Sequence, residues 1–429
     1  MENTGAYLAR KNAELAWLNQ KLRQPLARTP AKDPKAVVEQ KLALRARLMA
    51  EAVDRYQNLT ETNSLDEDVQ TVPPYDLDYR YQRFDMVIRA PAIYPVERAD
   101  LPLIRATQYA SSGMGAITSL LLALDKAPVA SNHVVARRDI YFETQHVLRD
   151  LTTLDFVAVD PEDDLPAAAR ALEGHVTVLV DSITARDDCD LFERLEPGTV
   201  DLLLFDTTCY EVGSERIARA VEAAMRLDAP VALLRSHVKI DFLGVEYGRL
   251  GSAVFLVTPM CARETLTLFR GLQQVCQRVM RLTGAAAVPL HLNPFLADPT
   301  FRAHNRARIA RMIENNLRAT ERVAAALEAT SIHVSRYHHG LFFTLGLLPA
   351  GDDAMTRVIE HIRDLVGTLR AKGLPVRYAN SFGFDFAAVT HYRDARRLEG
   401  IRLALPDHPA ELVDRLCDAL LAWCRSRMP

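Results

Sequence analysis

The sequence holds no pair of cysteines at CxxC spacing. Its six cysteines lie apart, at 189, 209, 261, 276, 417 and 424, so spacing offers neither a disulfide framework nor a thiolate metal site. Reduced, buried thiols in a cytoplasmic protein are the expected reading. Charge of one sign is not in excess either. A formal net charge of −3 on 429 residues gives no electrostatic reason to expect nucleic acid or an anionic membrane as partner. A long apolar run is also missing: the longest uncharged stretch, 106–124, carries Gln, Tyr, Thr, Ser and two Gly. That composition suits a buried strand, loop and helix rather than a membrane span. The opening residues, MENTGAYLARKNAELAW, have no apolar core of a secretory signal. His291, His304, His338 and His339 lack metal-ligand spacing, so no metal is expected.

What is present is a chain long enough for two or three packed units. Residues 1–60 read as helical, with Leu8, Leu15, Leu18 and Leu22 at helical spacing, a break at 25–34 and a second helix over about 35–59. The acidic, Pro-containing stretch 60–80 reads as a turn-like linker. From about 100 to 260 the texture changes to short apolar runs at 133–136, 156–159, 177–180, 200–205, 231–234 and 253–257. Helix-like segments such as 165–172 and 214–226 lie between them. Near-continuous apolar strands separated by helices predict a mainly parallel sheet covered on both faces. Residues 260–280 and 299–328 read as long helices. Beyond 332, the strand-like HVSRYHH, LFFTLGLL and IRLAL alternate with helices at about 354–371 and 409–426. The expected organisation is a helical N-terminal extension with linker over 1–80, a large α/β domain over 81–290 and a small α+β domain over 291–429.

Four local features carry chemistry. Tyr109-Ala-Ser-Ser-Gly-Met-Gly-Ala-Ile ends a strand-like segment and opens an apolar helix. Amides at a helix start, with glycine for close approach and serine hydroxyls nearby, suit a phosphate, although Ser-Gly there is by itself only a cap. The strand DLLLF ends in Asp206-Thr-Thr, which places an acid where open α/β sheets bind ligands. The strand APVALL ends in Arg235-Ser236-His237-Val238-Lys239, and a lysine just past a core strand suits Schiff-base work. Tyr141 follows the strand HVVA, where an aromatic ring could lie on a planar cofactor. Phosphate loop, aromatic, acid and lysine, each at the carboxyl end of a strand, make the set that pyridoxal phosphate (PLP) requires.

In the segments SSGMGAI (111–117), HVVARRDIYFET (133–144), DTT (206–208) and SHVK (236–239) the sequence resembles the Cys/Met-metabolism enzymes of PLP fold type I, such as cystathionine γ-synthase, cystathionine γ-lyase and methionine γ-lyase. The resemblance covers roughly 80–425. It implies an aspartate-aminotransferase-like large domain with a mainly parallel seven-stranded sheet, and a PLP enzyme that forms a homodimer or homotetramer with active sites at the interface. Ser112, Gly113, Met114 and Ser236 would bind the phosphate, Tyr141 would stack on the ring and Asp206 would pair with the pyridine nitrogen. Thr208 and His237 would lie beside the cofactor and Lys239 would form the Schiff base. Tyr81 and Arg83 match the family's Tyr-x-Arg, lent to the neighbouring subunit's phosphate. Ser381, in Ser-Phe-Gly, would sit near the lysine, and Arg402 would clamp the substrate carboxylate. The implied reaction is γ-elimination or γ-substitution on an L-α-amino acid, with β-elimination as a further option and a branch of secondary metabolism as its setting.

The family's Glu-Thr-Pro-x-Asn-Pro element stands here as Asp181-Ser-Ile-Thr-Ala-Arg, Val238 replaces the Thr before the lysine, and YGGT has become YFET. These departures leave open a PLP-dependent aminotransferase or decarboxylase, and outside enzymes a PLP-fold scaffold. A scaffold has no use for Lys239, Asp206, Tyr141 and Arg402 together. Ser236-x-x-Lys239 also has the spacing of penicillin-binding enzymes, but their SDN and KTG elements are absent.

Overall fold

In a computed structural model, Asn3 opens the first helix, α1 (Thr4–Gln20), by accepting the Ala6 amide at 2.9 Å on its side chain. The structure describes residues 2–56, 70–72, 74–79, 86–95, 103–129, 131–187, 190–296, 298–351, 353–393, 396 and 398–427. The buried stripe of α1 is Tyr7, Lys11, Glu14, Leu15 and Leu18, so two charged side chains lie on its inward face. A second helix, α2 (Pro34–Tyr56), starts on a proline, with Asp33 accepting the Ala36 amide at 2.8 Å. It buries Val37, Lys41, Leu44 and Leu48 at helical spacing.

The stretch expected as a linker is corrected over 70–79. Strands β1 (Gln70–Val72), β2 (Tyr75–Tyr79) and β3 (Met86–Arg89) form an antiparallel sheet in that order. The acidic text concealed a period of two: Tyr75 and Leu77 are buried and Asp76 between them is exposed. The Tyr75 hydroxyl donates to the Asn293 carbonyl at 3.0 Å.

The main sheet is built from β4 (Ile104–Ala110), β5 (Asn132–Arg137), β6 (Asp155–Val159), β7 (His175–Asp181), β8 (Leu202–Asp206), β9 (Val231–Ser236) and β10 (Gly251–Val257). Their order is β4-β10-β9-β8-β7-β5-β6; β10 alone runs against the others. Every residue of β8 and β10 is buried, the condition that near-continuous apolar strands satisfy. The intervening helices are α3 (Gly113–Asp125), α4 (Phe142–His146), α5 (Leu165–Arg170), α6 (Leu191–Arg194) and α7 (Glu215–Arg226), with α8 (Arg263–Leu282) after β10. Leu120, Leu121 and Leu124 of α3 share one core with Phe269, Leu272 and Cys276 of α8 and Leu204, Leu234 and Phe255 of the sheet.

The remaining chain forms α9 (Pro299–Leu327), β11 (His333–Arg336), β12 (Phe343–Pro349), α10 (Ala354–Ala371), β13 (Val376–Tyr378), β14 (Ala387–Arg393), β15 (Leu398–Ala404) and α11 (Ala410–Arg427). Its sheet, β11-β12-β15-β14-β13, is antiparallel except where β13 meets β14. One core joins Val323 of α9, Ile362 and Leu365 of α10 and Leu420 and Trp423 of α11 to Phe343, Val389 and Ile401 of that sheet.

The chain divides into two compact units. One contains Met1–Asp54, Lys239–Tyr247 and Pro299–Pro429; the other contains Arg55–Val238 and Gly248–Asp298. These cuts differ from the boundaries expected at 80/81 and 290/291. The N-terminal helices belong with the C-terminal sheet because the charges they bury find their partners there, Lys11 with Asp385 and Asp407. The lysine segment belongs to that unit too. Among the described residues, no helix is long and apolar enough to cross a membrane.

Candidate active site

In the unit of the large sheet, β4 ends at Ala110 and the chain turns into α3 through Ser112. Ser112 caps the helix, its hydroxyl accepting the Gly115 amide at 2.9 Å. Gly113 and Met114 follow with first-turn amides, which have no acceptor within a helix. The Met114 side chain packs on the core beneath α3. Gly113 is required by a close approach: a Cβ there would stand 2.5 Å from Ser236 Cβ and 2.9 Å from its Cα. A Cβ on Gly251 would likewise stand 2.0 Å from the Ser112 carbonyl oxygen. Gly113→Ala should therefore cost about 1–3 kcal/mol through overpacking and weaken binding of a phosphate-bearing ligand. Thermal unfolding together with a PLP titration checks this, and an alanine variant with both properties unchanged would contradict it.

From Gly113 a run of contacts crosses the strand ends. The Ser236 amide donates to Thr208 Oγ1 at 3.0 Å, and the Thr208 amide to Asp206 Oδ1 at 2.9 Å. Asp206 stands beside Asp181 in the register of β8 and β7. Asp181 accepts the Tyr141 amide on Oδ2 at 2.8 Å and the Ile183 amide on Oδ1 at 3.0 Å. Ser112, Gly113, Tyr141, Asp206, Thr208 and Ser236, expected from their motifs, are thus brought together. The turn after Asp206 is braced from below: fully buried Arg235 donates to the Thr207 carbonyl at 2.6 Å, and the Tyr94 and Thr207 hydroxyls pair at 2.8 Å. His237 is buried and pairs with Ser252 of β10 at 2.9 Å.

Asp181 did not figure among the expected site residues. Burial pushes its carboxyl well above the usual carboxylate range, and the neighbouring Asp206 pushes the same way; its two amide hydrogen bonds only partly oppose them. Both oxygens of Asp181 thus hold backbone, that of Tyr141 and that of Ile183. A signal for it was available: VTVLVD and DLLLFD are the same apolar strand ending in an acid.

In the other unit, Lys239 Nζ donates to Ser381 Oγ at 2.8 Å. Gly383 follows at φ +88°, where a Cβ would stand 1.9 Å from the Lys239 carbonyl oxygen. The Phe382 ring lies 5.9 Å from Lys239 Nζ and 5.9 Å from Arg402 Cζ. Phe342 at 5.2 Å and Tyr392 at 5.8 Å complete an aromatic cage around the Arg402 guanidinium. Lys239, Ser381 and Arg402 are thus brought together through Phe382. The cage comes from three separate segments, and only Phe382 lay inside a motif. Tyr81 and Arg83 lie outside the described residues. Cys209, Cys261, Cys276, Cys417 and Cys424 are buried; Cys189 lies outside the described residues.

No protein-family model and no curated protein sequence matches the chain. Solved structures do. Cystathionine gamma synthase from Xanthomonas oryzae pv. oryzae, in complex with cystathionine, matches with a TM-score of 0.56 and 18% identity, over 90% of this chain and 99% of that one. A methionine gamma lyase from Micromonospora echinospora gives 0.52 and 17%, over 87% and 99%. A putative O-acetylhomoserine (thiol)-lyase from Campylobacter jejuni, with N'-pyridoxyl-lysine-5'-monophosphate, gives 0.51 and 14%, over 73% and 81%. The chain has the fold of these proteins. It is the type I fold of PLP enzymes, with its large mainly parallel sheet and separate smaller sheet, as the motifs implied.

Proposed function

We propose that this protein is a PLP-dependent enzyme that carries out γ-elimination or γ-substitution on an L-α-amino acid bearing a side-chain leaving group. The observation that supports it is a set of strand ends brought together: Tyr141 hydrogen-bonded to Asp181, Asp181 beside Asp206 in register, Asp206 linked through Thr208 to Ser236 by hydrogen bonds, and the Gly113 helix start packed against Ser236. The residues fit the group. A phosphate needs donors, and the first-turn amides of α3 at Gly113 and Met114 offer them beside Ser236, which only glycine lets approach so closely. When bound, PLP supplies an electron sink for negative charge developing at the substrate Cα.

Ser112, Gly113, Met114 and Ser236 would hold the phosphate, with Thr208 and His237 beside the cofactor. Tyr141 would lie against the ring, its backbone fixed by Asp181. Asp206 would keep the pyridine nitrogen protonated, and Lys239 would hold the aldehyde carbon and move a proton at the substrate Cα. Arg402 would take the α-carboxylate bidentately, its guanidinium oriented by the rings around it. Tyr81 and Arg83 would serve a neighbouring copy's phosphate in a cytoplasmic homodimer or homotetramer, an assembly that light scattering checks.

Turnover in heavy water tests the reaction type. Deuterium should enter both Cα and Cβ of a substrate analogue, because departure of a γ group needs both positions acidified. Exchange confined to Cα, with a keto acid accumulating and the cofactor left in its amine form, would mark an aminotransferase instead. Asp206→Asn should retain cofactor but lose turnover by roughly 10²–10³-fold, the usual cost of removing one preorganised charge-stabilising group. Steady-state kinetics checks this, and wild-type rates in that variant would assign the role to another acid.

A further inference from the structure

The N-terminal helices carry charge into the core of their own unit. Lys11 Nζ, fully buried, lies 2.8 Å from Asp385 Oδ1, 2.8 Å from Asp407 Oδ2 and 3.2 Å from Glu14 Oε2. Lys41 of α2 pairs with Glu14 and with Asp385 Oδ2. Arg308 of α9, also fully buried, stands 3.3 Å from Asp385 Oδ1 and 3.9 Å from Asp407 Oδ1, and donates to the Gly383 carbonyl. Three cations and three carboxylates thus neutralise one another away from water. Replacing such a cluster with well-packed apolar side chains is often neutral or stabilising, so bulk stability is a weak reason for it. What buried ion pairs can fix is register.

The segments held in register here are those of the lysine. Asp385 and Gly383 lie in the loop that carries Ser381, the partner of Lys239 Nζ. Gly244, in the lysine segment itself, sits at φ +72°, where a Cβ would stand 2.8 Å from Arg308 Nη2 and 3.1 Å from Asp385 Oδ2. Leu243 and Glu246 on either side also have positive φ, at 50° and 46°, so this segment keeps a backbone that surrounding structure must enforce. Arg45 of α2 reaches Glu246 at 3.5 Å from the rim.

We propose that this cluster is a positioning device for Lys239: Lys11 and Lys41 of the N-terminal helices fix Asp385 and Arg308, which hold the Ser381 loop and the segment Lys239–Tyr247 together. Lys11, Lys41, Arg308 and Asp385 act through Lys239 and are positioning residues. Their meaning for catalysis rests on the reading of Lys239 given above; the mechanical role does not.

Amide hydrogen exchange of the full-length chain without cofactor, followed by mass spectrometry, separates the two. Lys41→Met removes a cation from Asp385. Arg308→Lys keeps the charge but loses the fork that reaches carboxylates and the Gly383 carbonyl together. In both, peptides over 239–247 and 381–385 should exchange roughly tenfold faster, while 251–257 in the other unit stays as in wild type. Lys41→Arg, which keeps the charge, should restore most of the protection. With limiting pyridoxal phosphate and borohydride, labelling of Lys239 should fall by a similar factor in the first two variants only. Wild-type protection of 239–247 in Arg308→Lys overturns the proposal, and that variant decides should Lys41→Met fail to fold. If wild type takes no label on Lys239, the functional reading fails while the exchange result still judges the clamp.

Discussion

Lys239→Ala should abolish turnover while leaving both units folded. Loss of a positioned proton-transfer group alone costs roughly 10²–10⁴-fold, and loss of the covalent hold on the cofactor adds to that. The fold should tolerate the change, because Lys239 and its partner Ser381 are only partly buried and the hydroxyl can turn to water. Three measurements check this: steady-state kinetics on an amino acid with a side-chain leaving group, visible absorbance after adding PLP, and far-ultraviolet circular dichroism. Activity within tenfold of wild type, with the same visible band, would remove Lys239 from its assigned place.

Acid should destabilise the lysine-bearing unit in two stages. Burial holds the His408 imidazole down to about 4, against the pull of Asp407 and Asp385. His408 is therefore neutral in the folded chain and takes a proton more readily on unfolding, so stability falls as pH drops from about 6.5 to about 4. The full effect is about 3 kcal/mol. Asp385 and Asp407 shift for a different reason. Burial alone would raise both, but Lys11, Lys41 and Arg308 around Asp385, and Lys11 and Arg10 around Asp407, hold them below the usual carboxylate range. Their stabilisation is present above the ordinary carboxylate value near 4 and is lost as pH falls further. Thermal midpoints measured against pH should thus decline below about 6.5 and more steeply below about 4. His408→Asn should flatten the upper part. Lys11→Met, which strips a cation from three buried carboxylates, should cost about 3–5 kcal/mol at neutral pH. A midpoint independent of pH between 7 and 4, in wild type and His408→Asn alike, would contradict the account.

The parts of the fold that sequence revealed are those where one physical rule dominates. Strands such as β8 and β10 are buried on both faces, so their text is a plain apolar run. The helices near 214–226 and 354–371 show one apolar face, and the structure places them at Glu215–Arg226 and Ala354–Ala371. Where two rules compete, the text misleads. Asp76 made the segment around β2 look like a turn, although Tyr75 and Leu77 pack inward on either side. The burial of Lys11, Glu14 and Lys41 has no local signal, because buried charge is rare and the partners that permit it, Asp385 and Asp407, lie hundreds of residues away.

The site divides the same way. Ser112-Gly113, Asp206, Ser236 and Lys239 stand in short motifs at strand ends, where a parallel sheet gathers ligand-binding groups. The β7–β8 register sets Asp181 beside Asp206, and the pairing of β12, β15 and β14 brings Tyr392, and Phe342 just before β12, to Arg402. Departures from the family text also have structural content. Where its Glu-Thr-Pro element would stand, Asp181 reaches the Tyr141 and Ile183 amides instead.

The central claim is that Lys239 carries the cofactor. Incubating the full-length protein with pyridoxal phosphate, reducing it with borohydride and mapping its peptides by mass spectrometry tests that claim most directly. The account predicts one stoichiometric pyridoxyl adduct, on the peptide containing Lys239, and its loss in Gly113→Ala at limiting cofactor. An adduct spread over surface lysines, or concentrated on any lysine other than 239, would contradict it.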